Sequence, residues 1–452
     1  MLLTKILLVS PNRFREPYPV YPLALSYLKS YLEKRSTGLE IELFDFNNDD
    51  LAFFRKLLLE FKPDLVGFSL RNIDTVNYFN DIHFVQECRD LIEEVKSHSD
   101  AMTVLGGAGF SIFPETIFNL IRPDYGVFGE GEESLYQLID ALREDRNVAD
   151  IEGLLYLNDG EVVFNQRKTY CKDPELIFDD HLVDHYWETA GMLNLQTKRG
   201  CPYRCAYCTY PLIDGAKIRA HNPEKVVWSL KELNKNKGID YFFFTDSVFN
   251  IHNPYNIELA EHIVRAELNI QWGAYFTPHN LDFELLALLK KSGLTHLEFG
   301  TESLSNSTLK AYNKNFLVED VFETAGLCKK LDLFTAHFLI LGGPGESEQT
   351  VAETIQNSKC IDKTVFFPYF GMRIYPHTGV YEQAVAEGKI KREDSLLDPI
   401  YYLVEDIDFE SVKKRARETQ NRWIFPDENF QKPMEMMRKR GLKGPLWELL
   451  IK

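Results

Sequence analysis

Cys201, Cys205 and Cys208 stand in the run Lys198-Arg-Gly-Cys-Pro-Tyr-Arg-Cys-Ala-Tyr-Cys-Thr209. Three thiolates at C-x3-C-x2-C spacing can hold three corners of a [4Fe-4S] cube and leave the fourth iron open to an exogenous ligand. Simple electron carriers usually close that fourth position, so an incomplete set implies a cluster that binds substrate. A structural zinc site wants four ligands, commonly from repeated two-residue-spaced pairs; Cys171, upstream, could in principle supply the fourth. A disulfide fits less well. Seven cysteines scattered through 452 residues, with no apolar leader at Met1-Leu-Leu-Thr-Lys5, describe a reducing cytosol, and the chain is expected to be cytoplasmic.

A cysteine loop must be held by regular elements. From about 196 to 385 apolar runs alternate with helical patterns: Met192 to Thr197, Tyr241 to Thr245, Gln271 to Phe276, His296 to Gly300, Ala336 to Leu341 and Gly371 to Tyr375. Six such units predict a partial (β/α)6 barrel of TIM type, in which reactive groups gather at the carboxyl ends of the strands. The cysteine loop follows the first strand. Asp246 ends the second, Glu302 the fourth and Arg373 the sixth, while Ile340 precedes the turn Gly342-Gly-Pro-Gly-Glu-Ser347 after the fifth. Each has a structural rival in a helix cap or a salt bridge. His337 alternates with apolar neighbours and reads as a core histidine, whereas His377 lies at a strand end where it could meet substrate.

Residues 1–150 show the same alternation. Lys5 to Ser10, Ile41 to Asp45, Leu65 to Ser69, Thr103 to Gly107 and Tyr125 to Gly129 are predicted strands, with helices over Leu23 to Leu32 and Leu51 to Phe61. This predicts a doubly wound, Rossmann-like parallel sheet with a ligand site beyond the carboxyl ends of its strands. Gly106-Gly107-Ala108-Gly109 and Gly129-Glu130-Gly131-Glu132 sit at two of those ends. They would let the backbone approach a large flat or phosphate-bearing ligand, and tight turns explain them equally well. Residues 151–195 read as a connector with a β-hairpin turning at Asn158-Asp159-Gly160, and 386–452 as a small, partly helical C-terminal segment.

An apolar content of 44% and a charged content of 26% are ordinary for a globular protein, and no run of eighteen apolar residues is present to span a membrane. A net charge of −17 works against nonspecific nucleic-acid binding, which needs surplus Lys and Arg. The basic stretches Arg415-Ala-Arg417 and Arg438 to Lys443 read as solvated helix faces.

The cysteine run, with aromatic Tyr207 before the last cysteine, resembles the cluster loop of radical S-adenosylmethionine (SAM) enzymes. Pro19 to Leu28, Pro63 to Ser69 and the two glycine clusters resemble the cobalamin-binding domain that precedes the barrel in one branch of that family. The resemblance implies three cofactors: a [4Fe-4S] cluster, SAM and cobalamin. It places Tyr207 against the adenine, Asp246 at the SAM ammonium, Glu302 at SAM or its ribose, Ile340 against the base, and Arg373 at the SAM carboxylate or a substrate anion. A carboxylate suits the ribose, which presents two hydroxyl donors. For cobalamin it implies Ser69, Arg71, Asn72, Gly106, Gly107, Gly129, Glu130 and Gly131. Many cobalamin proteins carry Asp-x-His-x-x-Gly after the first strand, but here Ser10 to Pro17 has no histidine. Arg71, after the third strand, would then face the lower side of the corrin. Leu396 to Leu403 resembles segments that cover the barrel mouth.

The activity implied is methyl transfer to an unactivated carbon of a small-molecule, lipid or natural-product precursor, with SAM cleaved to a 5′-deoxyadenosyl radical. Alternatives within the branch are a radical cyclase or rearrangement enzyme, and a methyltransferase that uses no substrate radical, resembling tryptophan 2-methyltransferase. A cluster-bearing electron-transfer protein is the reading from another class. The expected partners are the substrate and a one-electron reductant of flavodoxin or ferredoxin type, with no nucleic acid.

Overall fold

Lys5-Ile-Leu-Leu-Val-Ser10 is buried along nearly its whole length, as a strand covered on both faces must be. It is the centre of the first of two units in a computed structural model that describes residues 3–426, 428 and 431–451. That unit comprises the chain through Thr75, then Ile82–Tyr186 and Leu212–Gly215; the second comprises Val76–Asp81, Trp187–Pro211 and the chain from Ala216.

The first unit contains β1 (Lys5–Ser10), β2 (Glu40–Asp45), β3 (Leu65–Ser69), β4 (Met102–Gly106), β5 (Tyr125–Val127), β6 (Leu154–Asn158) and β7 (Glu161–Phe164). Their order is β2-β1-β3-β4-β5-β6-β7, the first five parallel. Ile6, Leu8 and Val104 meet Leu25 and Leu32 of one helix and Leu135 and Leu138 of another in a shared core. Strand order reverses between β1 and β3, which makes the loops after Ser10 and Ser69 the topological switch point of a doubly wound sheet.

The hairpin expected as part of a connector is instead two strands of this sheet. β6 pairs antiparallel with β5 and β7 with β6. Asp159 and Gly160 both take positive φ at the two-residue turn, the geometry that lets a tight hairpin keep the strand twist.

The second unit contains β8 (Leu193–Leu195), β9 (Lys198–Arg199), β10 (Arg219–Ala220), β11 (Tyr241–Phe244), β12 (Gln271–Phe276), β13 (Leu294–Glu302), β14 (Phe334–Leu341), β15 (Thr364–Phe370), β16 (Met372–Arg373), β17 (Tyr401–Tyr402) and β18 (Arg422–Trp423). Seven of these form an open parallel sheet in the order β18-β15-β14-β13-β12-β11-β8, the partial barrel expected. Two details differ. The sixth strand is β15, earlier than the expected Gly371 to Tyr375, which holds β16 paired antiparallel with β17. Pro368 makes the run look unlike a strand, yet β18 reaches only Val365 and Phe366, so the missing N–H falls where β15 has no second neighbour. β18 itself, from the C-terminal segment, is the seventh strand.

The C-terminal segment also divides. Tyr401 and Tyr402 lie beyond the carboxyl ends of the barrel strands, beside Met372 and Arg373. Residues 438–451 instead close the amino end. Gly444 donates to the Gly191 carbonyl at 3.0 Å, Lys443 lies 4.0 Å from the Trp187 ring centroid, and Trp447 packs with Ala336 and Val365. Of the basic stretch there, Arg438 and Lys443 pack on the barrel, while Lys439 and Arg440 are solvated as expected.

Trp447 Nε1 donates to Glu298 Oε1 at 3.0 Å inside that closed end. Burial pushes Glu298 from its ordinary 4.5 up to about 7, opposed by the Trp447 bond and reinforced by Glu448. His296, whose Nε2 lies 4.0 Å from Glu298, is pushed down to about 3 by burial. The folded chain therefore keeps a proton on Glu298 that the unfolded chain releases, and this group's contribution to stability falls as pH rises from 4.5 to 7. Glu298→Gln should become more stable relative to the parent across that window, with a scale of about 1.4 kcal/mol per unit of the shift. Denaturant titrations of both proteins at pH 5 and pH 7.5 check it; an unchanged difference between them would contradict the assignment.

Candidate active site

The root of the cysteine loop is fixed by a buried ion pair. Lys198 is 1% and Asp246 0% exposed. Asp246 Oδ1 accepts the backbone N–H of Thr197 at 2.7 Å and of Lys198 at 3.1 Å, and Oδ2 accepts Lys198 Nζ at 2.8 Å and the Thr197 hydroxyl. Lys198 Nζ also donates to Asn256 Oδ1 at 3.0 Å and lies 4.3 Å from the Phe249 ring centroid. Burial pushes the ammonium down, and Asp246 opposes this. Asp246 was expected to meet the SAM ammonium. With four donors already bound, it holds the step from β8 into the loop instead.

Beyond this root the loop has no regular structure, and backbone bonds shape it. Ala206 N–H donates to the Tyr312 carbonyl at 2.9 Å, Val380 N–H to the Ala206 carbonyl at 2.8 Å, and Asn313 Nδ2 to the Arg204 carbonyl at 2.5 Å. Cys201 is buried, and Cys205 and Cys208 are half-buried. Burial pushes the Cys205 thiol up and Cys208 to about 12, so loading a metal group must displace protons. Among the described residues no three Cys, His, Asp or Glu side chains converge to hold a single metal ion. Cys171 lies in the first unit, its N–H bonded to Glu130 Oε2 at 2.7 Å. Three thiols on one irregular loop suit the corners of a cube better than a tetrahedral zinc site.

Tyr207, Glu302 and Lys314 form a second buried group. The β13–β14 register slips between Gly300 and Glu302, and Glu302 takes φ +64°, a costly conformation for a residue with a side chain. Tyr207 Oη donates to Glu302 Oε1; Lys314 Nζ lies 3.4 Å from the same oxygen and 3.2 Å from Tyr207 Oη. Burial pushes Lys314 down, but Glu302 and Cys205 outweigh it and hold the ammonium above its ordinary value. Sequence reasoning missed Tyr312, Asn313 and Lys314. Their signal was weak: an Asn in left-handed conformation shortly after the helix Asn306–Ala311, a common way for a helix to end.

Ile340 is half-buried, and its carbonyl accepts Tyr312 Oη at 3.1 Å. The same hydroxyl accepts Gly343 N–H at 3.1 Å, where an added Cβ would lie 2.3 Å from it. Glu346 accepts Gly342 N–H and is pushed up to about 8 by burial. Arg373, expected at a carboxylate, is buried and donates to the Ile374 and Leu396 carbonyls, both at 2.7 Å; it ties β16 to the segment before β17. His337 bonds Thr301 Oγ1 at 2.7 Å between the rings of Phe299 and Phe366, a core histidine. His377 is exposed at φ +63°.

In the first unit, Ser69, Arg71 and Asn72 follow β3 at the switch point. Arg71 is exposed, and no ion pair to Asp74 or another acid engages it among the described residues; Tyr186, whose Oη donates to buried Asp45 at 2.7 Å, feels its charge. The glycines answer to the chain itself. A Cβ on Gly107, at φ +102°, would lie 2.5 Å from the Leu70 carbonyl oxygen, and one on Gly106 3.2 Å from that of Val127. Gly129 faces Arg167, Gly131 faces Leu28, and Glu130 offers its carbonyl to Arg167 Nη2 at 2.5 Å. Open glycine cradles are therefore not what these positions provide; Gly107 lets the β4 turn press against the loop that bears Arg71. On that loop Arg71 presents an always-charged guanidinium, which itself offers no lone pair.

Residues 195–357 match the radical SAM superfamily, and residues 15–139 the B12 binding domain. The chain thus carries a radical SAM domain and a B12 binding domain. This radical SAM enzyme is 27% identical over 395 residues to an uncharacterized methyltransferase of Pyrococcus horikoshii, covering 84% of this chain and 83% of the relative. It is 25% identical over 447 residues to tryptophan 2-C-methyltransferase of Streptomyces laurentii, covering 83% and 73%. Its fold is that of TsrM, a radical SAM methyltransferase of Kitasatospora setae solved with cobalamin and a [4Fe-4S] cluster, at TM-score 0.86 and 23% identity over 98% of this chain and 96% of that one. The expected cobalamin-dependent radical SAM enzyme, its two α/β domains and its cofactors are borne out.

Lys198→Met should destabilise this radical SAM enzyme by about 3–5 kcal/mol, because a buried carboxylate loses its partner. The double variant Lys198→Met/Asp246→Leu should recover most of that stability. It should still bind less iron than the parent, since Thr197 and Lys198 lose the acceptor that places their N–H groups. Thermal melts and iron assays after anaerobic reconstitution check both; full iron in the double variant would show that the pair does not position the loop.

Proposed function

We propose that this enzyme methylates carbon in a small organic molecule, with Cys201, Cys205 and Cys208 holding the cluster, the Tyr207–Glu302–Lys314 group and the Ile340 strand end forming the SAM side, and the Ser69–Asn72 loop forming the cobalamin side. When bound, the cluster and SAM supply one-electron cleavage of a sulfonium, and cobalamin supplies the transferable methyl group. The observation that carries the reading is a three-thiol loop braced at the carboxyl end of a parallel barrel, in a chain that also carries a doubly wound sheet with its switch point at β1 and β3.

The chain's own groups have defined tasks. Glu302 offers acceptor oxygens where a ribose presents hydroxyl donors, and Tyr207 supplies an aromatic face whose hydroxyl is tied down. Lys314 supplies a cation suited to a carboxylate. Arg71 fills the switch-point loop with a guanidinium that offers no lone pair, as suits a cobalamin that must give up its methyl group repeatedly. An external one-electron donor of flavodoxin or ferredoxin type is the proposed partner. A cytoplasmic setting is proposed because no disulfide joins any of the seven cysteines. No helix among the described residues is long and apolar enough to cross a membrane.

Anaerobically reconstituted protein should carry about four irons and four sulfides per chain, lost in Cys201→Ala, Cys205→Ala or Cys208→Ala. Stoichiometric zinc without iron-sulfur absorbance would overturn the reading. With cobalamin bound, Arg71→His should shift the cobalt absorption bands and slow methyl transfer while leaving iron content unchanged; an unaltered cobalt spectrum would make Arg71 a surface residue.

A further inference from the structure

The two faces of the barrel sheet are covered unequally. Leu339, Leu341, Phe366 and Phe370 face the helices and are buried in one core with Val321 and Val351. The rings that alternate with them on the inner face remain open: Tyr275 is 36% exposed, and Phe338, Phe367 and Tyr369 are half-buried. Phe338 and Phe367 are register partners whose rings stack at 5.2 Å between centroids. The inner face is thus an aromatic chamber that the chain itself does not fill.

Glu298 stands on the floor of that chamber, 3% exposed. Its place on the inner face follows from register: it pairs with Ala336, and Ala336 with Val365, and both pack against Trp447. Its other register partner is Tyr275. Trp447 Nε1 donates to Glu298 Oε1 at 3.0 Å, while among the described residues no hydrogen bond engages Oε2. A carboxyl group this deeply buried ordinarily has partners for both oxygens. Structural need does not explain a glutamate here, because one acceptor satisfies Trp447 and a glutamine would supply it. Gly300, the next residue on that face, places no side chain above Glu298. A Cβ there would lie 3.0 Å from Glu302 Oε1, so the open face runs from Glu298 to the Tyr207–Glu302–Lys314 group.

We propose that this chamber takes the substrate, that the substrate is a flat aromatic molecule bearing an O–H or N–H group, and that Glu298 Oε2 accepts that hydrogen. The rings offer faces to a planar ligand, and one placed polar group fixes which end goes down. Glu298 is then a specificity-determining residue, and the opposite edge of the ligand is presented toward the strand ends. The inference rests on the methyltransferase reading above only in calling the ligand a substrate; the binding itself is tested without turnover.

The test is equilibrium dialysis of β-naphthol and of its methyl ether against full-length protein reconstituted with cluster and cobalamin. The parent should hold β-naphthol about tenfold more tightly than the ether, or better, the scale of a hydrogen bond to a charged acceptor. In Glu298→Gln the Trp447 N–H keeps the amide oxygen and leaves the NH2 where Oε2 stood. The preference should fall to near unity with affinity for the ether unchanged. Tyr275→Ala should weaken both ligands alike. Equal binding of the two by the parent, a preference that survives in Glu298→Gln, or no binding of either would overturn the inference. Iron content of the same preparations decides the cluster reading separately: a parent that selects β-naphthol but loads no iron would overturn the proposed function and leave the chamber standing.

Discussion

A lysine ammonium and an aspartate carboxylate with almost no solvent contact decide where β8 stops and the cysteine loop begins. Burying two charges is costly, and the cost is offset only when every remaining lone pair and proton finds a partner. Asp246 meets that condition with donors from Thr197 and Lys198, and Lys198 meets it with Asn256. Removing either partner strands a charge in an apolar core, so the register of the chain three residues before Cys201 has little freedom. The irregular loop that follows inherits its starting point from this pair.

Past the root, the loop depends on backbone groups presented by other segments. Tyr312 is the hinge of that arrangement: its carbonyl receives the Ala206 N–H, while its hydroxyl bonds Ile340 and Gly343 across the turn after β14. One buried aromatic side chain thereby couples the position of the cysteine loop to that of the glycine turn. The positive φ of Glu302 has a related meaning. A bulge re-aims the last residue of β13 toward Tyr207 and Lys314, and the strain is held by the hydrogen bonds at its tip.

Much of the fold was legible from periodicity. Strands β1, β3 and β11 to β14 are short apolar runs bounded by turn residues, and such runs leave few alternatives in an alternating α/β chain. β15 was obscured by Pro368, and β18 by its two-residue length. The hairpin at Asn158–Glu161 was visible from its turn chemistry, but its membership of the first sheet was not, because pairing partners are a tertiary property. At the candidate site, the cysteines were legible because their chemistry demands local spacing. Lys314 was not: it follows a short helix, and only the folded chain brings it to Glu302 and Tyr207. Asp246 and Arg373 were noticed for the right reason, position at or near strand ends, yet each is occupied by protein groups.

That last point bears on how the site works. Two charged residues at or near the strand ends are already engaged: Asp246 with Lys198, and Arg373 with two carbonyls. Glu130 likewise accepts the Cys171 N–H in the first unit. Such groups cannot turn toward a small ligand without leaving a buried partner unsatisfied, at a cost of about 1–3 kcal/mol for each neutral group and more for a charge. Their role is to fix loops. In the proposed function, recognition then falls to what these braces leave available: thiols, backbone at the glycine turn, an aromatic face and exposed Arg71. A reaction that needs tight placement of large cofactors is well served by this division, because the parts that touch ligand are few and the parts that hold them are rigid.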